Sequence, residues 1–431
     1  MRDAADELNG EPGRSKVNGA SLRILAGLVI GLALGTMLAG TPEGETASAI
    51  AAPVGKLWLD GLTMTVVPLV FALLVSGIMG AASQARGGTL AARALGWFAA
   101  LLLAASLLSA AVSILAIAAI PLPEAAAALA GSVVEGPALP AAANWLDSIV
   151  PTNVFKAAAD SAMVPLVIFA VLFGIAATQI DEDLSRLIER TFRAIAQVML
   201  RIVEWVLWLA PLGVLALAIG VGVRLGGSAA GVLAHYVLIV IIACLASIAL
   251  SYAAAVVFGR ASLPRFAKAA LPAQVVAVST QSSLASLPAM IAAARPLDID
   301  ETKAGVVLPL AVSLFRAASA AANVAVAIYL AHVHGVELSI ASLVLGACVA
   351  AAVSVAAVGL PAQVSFFAII APVCLAMGVP VTLLPLLLAI ETLPDVFRTL
   401  GNVTADLAVA RIVGREPKKA PAQNEAAQQL G

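Results

Sequence analysis

The sequence predicts an all-α integral membrane protein of eight transmembrane helices plus two re-entrant helical hairpins, and three observations carry that prediction. The chain has 431 residues, 62% of them apolar and only 11% charged, with a mean hydropathy of +1.04; a soluble chain of this composition would expose large apolar patches. Its apolar residues fall into runs long enough to cross a hydrocarbon layer of about 30 Å, which takes about 20 helical residues. Its basic residues cluster between those runs in a pattern that fits one side of a membrane.

The N-terminal segment is polar and mixed in charge before any apolar run begins, unlike a cleavable signal. Residues 1–19 are therefore expected to form a cytoplasmic tail. Spans follow near 20–40, 54–82, 91–120, 148–178, 194–222, 230–258, 304–331 and 378–411. Two further apolar segments, near 270–295 and 340–374, are interrupted midway by STQSSLAS and VGLPAQVS. Non-helical backbone at membrane depth survives only where protein or a water-lined cavity satisfies it, so such paired interruptions point to a binding site. Two kinked spanning helices are the alternative reading.

The charges favour hairpins. Arg260, Arg265 and Lys268 precede the first interrupted segment, and Arg295 and Lys303 follow it. A full crossing between them would break the one-sided pattern that also includes Arg14, Lys16, Arg23, Arg86, Arg93, Arg186, Arg190, Arg193, Arg411 and Arg415. The loop 121–147 carries no Lys or Arg and is expected outside. Both termini are expected in the cytoplasm, with 413–431 a disordered tail.

Several function classes fall away. The net charge is -1, which offers nothing to nucleic acid. Cys244, Cys348 and Cys374 stand singly, and His235, His332 and His334 show no metal-ligand pattern. Neither HExxH nor GxSxG occurs, so an intramembrane enzyme is not expected.

The densest polar constellation lies in the last span, AIETLPDVFRTLGNVTADLAVAR. Glu391, Asp395, Arg398, Asn402 and Asp406 recur at spacings that stack on one helical face. Each ionisable group costs about 2.5–3.5 kcal/mol at the centre of a membrane helix on insertion scales, so the row implies partners or a polar cavity. Arg398 can grip a carboxylate through two parallel hydrogen bonds, and Asp395 can hold an ammonium. Asn402 adds a donor and an acceptor. In the first interruption Ser279, Thr280, Ser282, Ser283 and Ser286 surround a turn whose backbone N–H groups could cradle a carboxylate. The second, Val358-GLPAQVS, offers Gly359 in the tight reversal. One more charge stands alone in the seventh run: Arg316, in SLFRAAS.

From about residue 20 to 412 the chain resembles the dicarboxylate/amino acid:cation symporters, which include the glutamate and aspartate transporters. The resemblance rests on VVPLVFALLVSGIMG (66–80), on IVPTNVFKAAADSAMVPLVIFAVLFGIA (149–176), on the serine-rich stretch ending in Ser286-Leu-Pro, and on PDVFRTLGNVTAD (394–406). It implies a homotrimer in which a scaffold (about 20–82 and 148–222) guides a transport unit (about 91–120 and 230–411) by an elevator motion. It also implies residue roles: Arg398 for the substrate's side-chain carboxylate, Asp395 for its amino group, and Asn402 with Ser282 and Ser283 for its α-carboxylate. Ser319 matches a pocket-lining threonine.

The likeness fails at the cation sites. The family's Asn-Met-Asp-Gly-Thr is replaced by Phe315-Arg-Ala-Ala-Ser319, and Ser106 is all that remains of the site in the third helix. Sodium needs several oxygen ligands, and Phe, Arg and Ala side chains supply none. Asn402 and Asp406 are the residual Na+ candidates. Arg316 is expected to take the place of the lost cation, pairing with Asp406 or Asp395; a second substrate anchor and a snorkelling side chain are the other readings. The expected function is a secondary transporter, symporter or exchanger, of an acidic amino acid in the cell membrane. It would need no cofactor, its Na+ coupling would be lost or altered, and a proton could travel on Glu391 or Asp406. Transport of a C4-dicarboxylate, cystine or neutral amino acid, and a non-concentrative anion channel or sensor, stand as alternatives.

Overall fold

Apolar runs broken by Pro and Gly fold here as helices broken at the same residues. The computed structural model describes residues 12–86, 88–123, 126, 150–356 and 362–415. Among them the chain forms α1 (Pro12–Met37), α2 (Pro42–Thr63), α3 (Val66–Arg86), α4 (Thr89–Ala119), α5 (Val154–Ala159) and α6 (Met163–Ala177). The order continues with α7 (Glu182–Trp208), α8 (Ala210–Leu225), α9 (Ala229–Val257), α10 (Leu263–Thr280), α11 (Ser283–Ala292) and α12 (Glu301–Leu314). It ends with α13 (Ala317–Val333), α14 (Ile340–Ala356), α15 (Ala362–Ala376), α16 (Leu384–Leu388) and α17 (Thr392–Gly414). No strand occurs among the described residues beyond one isolated bridge between Ile299 and Arg415.

Several expected spans are divided or displaced. Helix α1 starts at Pro12, upstream of the expected boundary at residue 20. Thr41 caps α2 by accepting from Gly44 N at 3.1 Å, with Pro42 in the first turn, so the second apolar stretch begins well before residue 54. The segment 148–178 is split around Ser161, at φ +52°, where Pro165 lacks the N–H that would continue the ladder. The segment 194–222 breaks at Leu209, because Pro211 opens α8. Its first half belongs to the amphipathic α7, whose exposed face carries Arg186–Glu182 (2.5 Å) and Arg201–Glu204 (2.7 Å) pairs. In 378–411, Gly378 at φ +72° and Pro380 interrupt the chain before α16 and α17. By length and apolar composition four stretches could each cross a membrane: Pro42–Ala85, Thr89–Ala119, Ala210–Val257 and Glu301–Val333.

Small residues allow close packing. Helices α1 and α8 form the most extensive helix pair, with Gly27, Gly31 and Gly35 on successive turns facing α8 backbone. A Cβ at these positions would lie 2.5 Å from Pro211 O, 2.6 Å from Leu215 O and 2.4 Å from Ile219 O. That is the small-residue seam by which apolar helices associate in lipid, where burial alone gives little preference. Two apolar cores result. One joins α1–α3 and α6–α9 to the later halves of α4 and α13 and to α14–α16; the other is built from α4, α10–α13 and α17. Arg411 ties the end of α17 to the loop before α12, donating to Leu297 O (2.5 Å) and Asp298 O (3.0 Å), while Arg265 grips the Asp298 carboxylate with two bonds of 2.6 Å.

Candidate functional site

Helix α17 carries the expected row of polar residues, and the fold buries all of it. Glu391, Asp395, Arg398, Asn402 and Asp406 are each at most 9% exposed. The row stays helical from its first member, since Asp395 N donates to Glu391 O at 2.9 Å. The Arg398 guanidinium forms an ion pair with Glu391 and lies 3.7 Å from Asp395. Glu391 also accepts from Tyr236 Oη, on α9, at 3.0 Å. The side chain that could cap α17 is thereby committed elsewhere, and no side-chain cap forms. Two carboxylates thus converge on one guanidinium in a dry setting, where such charges persist only when paired and hydrogen-bonded.

One turn further along, Asn402 serves a neighbouring helix. Its Oδ1 accepts from Ala318 N (3.0 Å) and Ser319 N (3.2 Å), and its Nδ2 donates to Ser319 Oγ (3.0 Å). The first N–H groups of α13 have no partner in their own helix, and Arg316 at the cap position offers none, so Asn402 caps α13 from outside. Gly401 makes room: a Cβ there would sit 2.5 Å from Ala318 Cβ. The structure therefore brings Asn402 and Ser319 together.

The seventh run, expected as one span over 304–331, opens at Phe315 and Arg316, whose φ/ψ values are −111°/109° and −130°/65°. Phe315 stacks on Phe98 of α4 with ring centroids 4.7 Å apart. Arg316 is half-buried and its charge acts on Asp395, Asp406 and Arg398. The expected ion pair does not form: among the described residues no ion pair joins Arg316 to Asp395 or to Asp406, which stand more than two helical turns apart on α17. Asp406 is 0% exposed, and neither of its oxygens has a hydrogen-bond partner among the described residues.

The first interrupted segment forms a helix–turn–helix of α10 and α11, with Gln281 in the left-handed region at φ +51°. Ser282 caps α11, accepting from Ala285 N at 3.2 Å. Ser279, Thr280 and Ser286 donate to carbonyls one turn back, at 2.8, 2.7 and 3.0 Å, which is the ordinary structural use of such hydroxyls. Ser283 is half-buried, and its hydroxyl has no hydrogen bond among the described residues. Both helices pack on α17, and Gln281 Nε2 reaches Thr392 O at 3.5 Å, so the hairpin turn lies beside the Glu391 end of the row. Gly359 falls outside the described residues. A cavity of about 570 Å³ lies elsewhere, between α3, α7 and α12 and bordered by Ser76, Gln84, Gln197 and Ser313; none of the expected binding residues lines it.

Tyr236 was invisible to sequence reasoning. It is the sole strong hydrogen-bonding tip in VLIV-rich α9 that reaches the row, 155 residues before its partner; the one available signal was a phenol in an apolar run, where a buried hydroxyl needs a partner. At the Phe315–Arg316 break the side chains offer no oxygen, and the Asn402 Oδ1 is spent on α13. Among the described residues no group of three or more His, Cys, Asp or Glu side chains could hold a metal ion.

The model of the Sodium:dicarboxylate symporter family matches residues 20–416. The chain is 26% identical to the proton/glutamate-aspartate symporter of Escherichia coli, over 90% of this chain and 92% of that relative. It is 26% identical to the proton/sodium-glutamate symport protein of Bacillus subtilis, over 92% of each. It is also 26% identical to C4-dicarboxylate transport protein 1 of Pseudomonas aeruginosa, over 90% of this chain and 87% of that relative.

Proposed function

The chain belongs to the sodium:dicarboxylate symporter family, and from that premise we propose that it is a secondary transporter of acidic amino acids that does not use sodium. It is an integral membrane transporter and not an enzyme. The observation that carries the substrate reading is the buried Arg398 with Asp395 one turn away: a fork for a carboxylate beside a site for an ammonium. Asn402, Ser319, Ser282 and Ser283 supply the remaining donors for an α-carboxylate. Relatives named for glutamate and aspartate support the same choice.

Loss of sodium coupling is supported by Phe315, Arg316 and Ala317 at the helix break and by the Phe98–Phe315 stack that fills it. Arg316 gives the Asp395–Asp406 region a fixed positive charge in place of a mobile one. The helices are read as eight crossings with α10–α11 and α14–α15 as re-entrant hairpins, in a homotrimer with both termini cytoplasmic. A separate apolar core joining α4, α10–α13 and α17 supports treating these helices as part of one moving unit on a scaffold of α1–α3 and α5–α8.

A C4-dicarboxylate is the second reading, favoured by Arg316 as a second guanidinium near the same face and by the Pseudomonas relative. Thermal unfolding of the purified protein in sodium-free buffer, with L-aspartate, L-glutamate, succinate and L-alanine, separates the two, because a ligand stabilises the state it binds by mass action. Stabilisation by L-aspartate or L-glutamate is expected. A response to succinate alone selects the second reading, and a response to L-alanine alone contradicts both.

A further inference from the structure

The hairpin of α10 and α11 carries Ser282 and Ser283 at its turn, yet little in its own build fixes that turn in place. Each arm has a proline inside the helix, Pro272 and Pro288, which removes one hydrogen bond of the ladder. The buried face of α10 is Phe266, Ala269, Ala270, Ala273 and Ala277, and apolar contact of this kind has no direction. One polar side chain supplies it. Gln274, midway along α10, donates both hydrogens of its amide: to Thr404 Oγ1 on α17 at 2.9 Å and to Tyr252 Oη on α9 at 3.1 Å. Thr404 is fully buried and donates its own proton to Leu400 O at 2.7 Å, so its oxygen meets Gln274 as an acceptor. The Tyr252 ring meets Phe266 of α10 edge-on, with centroids 5.1 Å apart. Among the described residues the other hydrogen bond from α10 or its turn to α17 is that of Gln281 to Thr392 O at 3.5 Å, beyond the usual range.

We propose that Gln274 is a positioning residue for substrate binding: by tying α10 to Thr404 and Tyr252, it holds the hairpin turn where Ser282 and Ser283 reach a substrate gripped by Arg398 and Asp395. The proposal rests on the acidic amino acid reading, in which that turn is one wall of the site. Asn402 and Thr404 leave α17 about 200° apart around the helix. One helix therefore fixes α13 through Asn402 and the hairpin through Thr404. A hairpin freed from this tie samples other positions, and apparent affinity falls with the fraction of molecules whose turn is in place. Saturating substrate selects the tied position back, so binding capacity and maximal rate are kept while half-saturation rises.

The test measures L-aspartate and L-glutamate binding to the full-length purified protein by calorimetry, together with hydrogen–deuterium exchange of the turn at residues 279–285. Gln274→Met keeps the length of the side chain and loses both donors. It is expected to weaken binding about tenfold and to speed exchange at the turn alone, with wild-type exchange regained when substrate saturates. Thr404→Val and Tyr252→Phe each remove one acceptor and are expected to weaken binding about threefold, with no further loss when added to Gln274→Met. Thr404→Ser keeps the acceptor and is expected to bind as the wild type does. Should Gln274→Met not fold, Thr404→Val and Tyr252→Phe decide the question on the same two readouts. Unchanged affinity, effects that add in full to that of Gln274→Met, or faster exchange spread through the whole chain, as plain destabilisation would give, overturns the proposal. Failure of both amino acids to bind the wild-type protein marks instead the failure of the substrate reading, and exchange of the turn in the ligand-free proteins still decides whether Gln274 holds it.

Discussion

Arg398 serves two carboxylates with one planar fork, so its chemistry as well as its charge is at stake. Arg398→Lys keeps the charge and loses the fork; affinity for acidic amino acids is expected to fall about tenfold or more, read by calorimetric titration. Asp395→Asn is expected to weaken binding of amino acids while sparing succinate, because only the ammonium loses its partner. Asn402→Leu removes the outside cap of α13 and leaves two buried N–H groups unpaired. The expected cost is about 1–3 kcal/mol of stability, seen as a lower unfolding temperature without ligand. The polar row was legible in the sequence because helical spacing is a local property that one segment reports about itself. The Tyr236–Glu391 bond was not, since its partners are 155 residues apart. Arg316 was legible as a misplaced charge, but the absence of an ion pair to Asp395 or Asp406 among the described residues depends on three-dimensional distances that spacing does not hold.

Helix breaks divide in the same way. Those at Leu209 and after Gly378 follow Pro and Gly that stand in the sequence, although apolar run length alone hid them. The opening at Phe315 and Arg316 has neither residue at the break, and no local signal marks it; it is held from outside, by Asn402 capping the next helix and Phe98 stacking on Phe315. The hairpin of α10 and α11 was legible because a polar stretch interrupts apolar halves, whereas the turn expected near Gly359 lies outside the described residues. The α1–α8 seam depends on the absence of side chains. Gly31→Ala would place a Cβ 2.6 Å from Leu215 O, while nothing lies within 4 Å of a Cβ at Gly96. Gly31→Ala is expected to destabilise by about 1–3 kcal/mol, and Gly96→Ala to stay within about 0.5 kcal/mol of wild type. Denaturation of both variants in detergent, monitored by tryptophan fluorescence, checks the pair.

Helix α13 contributes to both apolar cores and packs on α17, which carries the buried polar row, so the charges of that row lie at the junction of the two cores. A bound sodium ion could be released on the far side of the membrane; Arg316 is covalently part of the chain and cannot be. The proposed transport without sodium rests on that one substitution of a fixed cation for a mobile one. Uptake of labelled L-aspartate or L-glutamate into proteoliposomes, with sodium replaced by choline on both sides and an inward proton gradient imposed, tests this most directly. Accumulation at a rate unchanged by adding a sodium gradient is the predicted result. Uptake that appears only when sodium is present would contradict it.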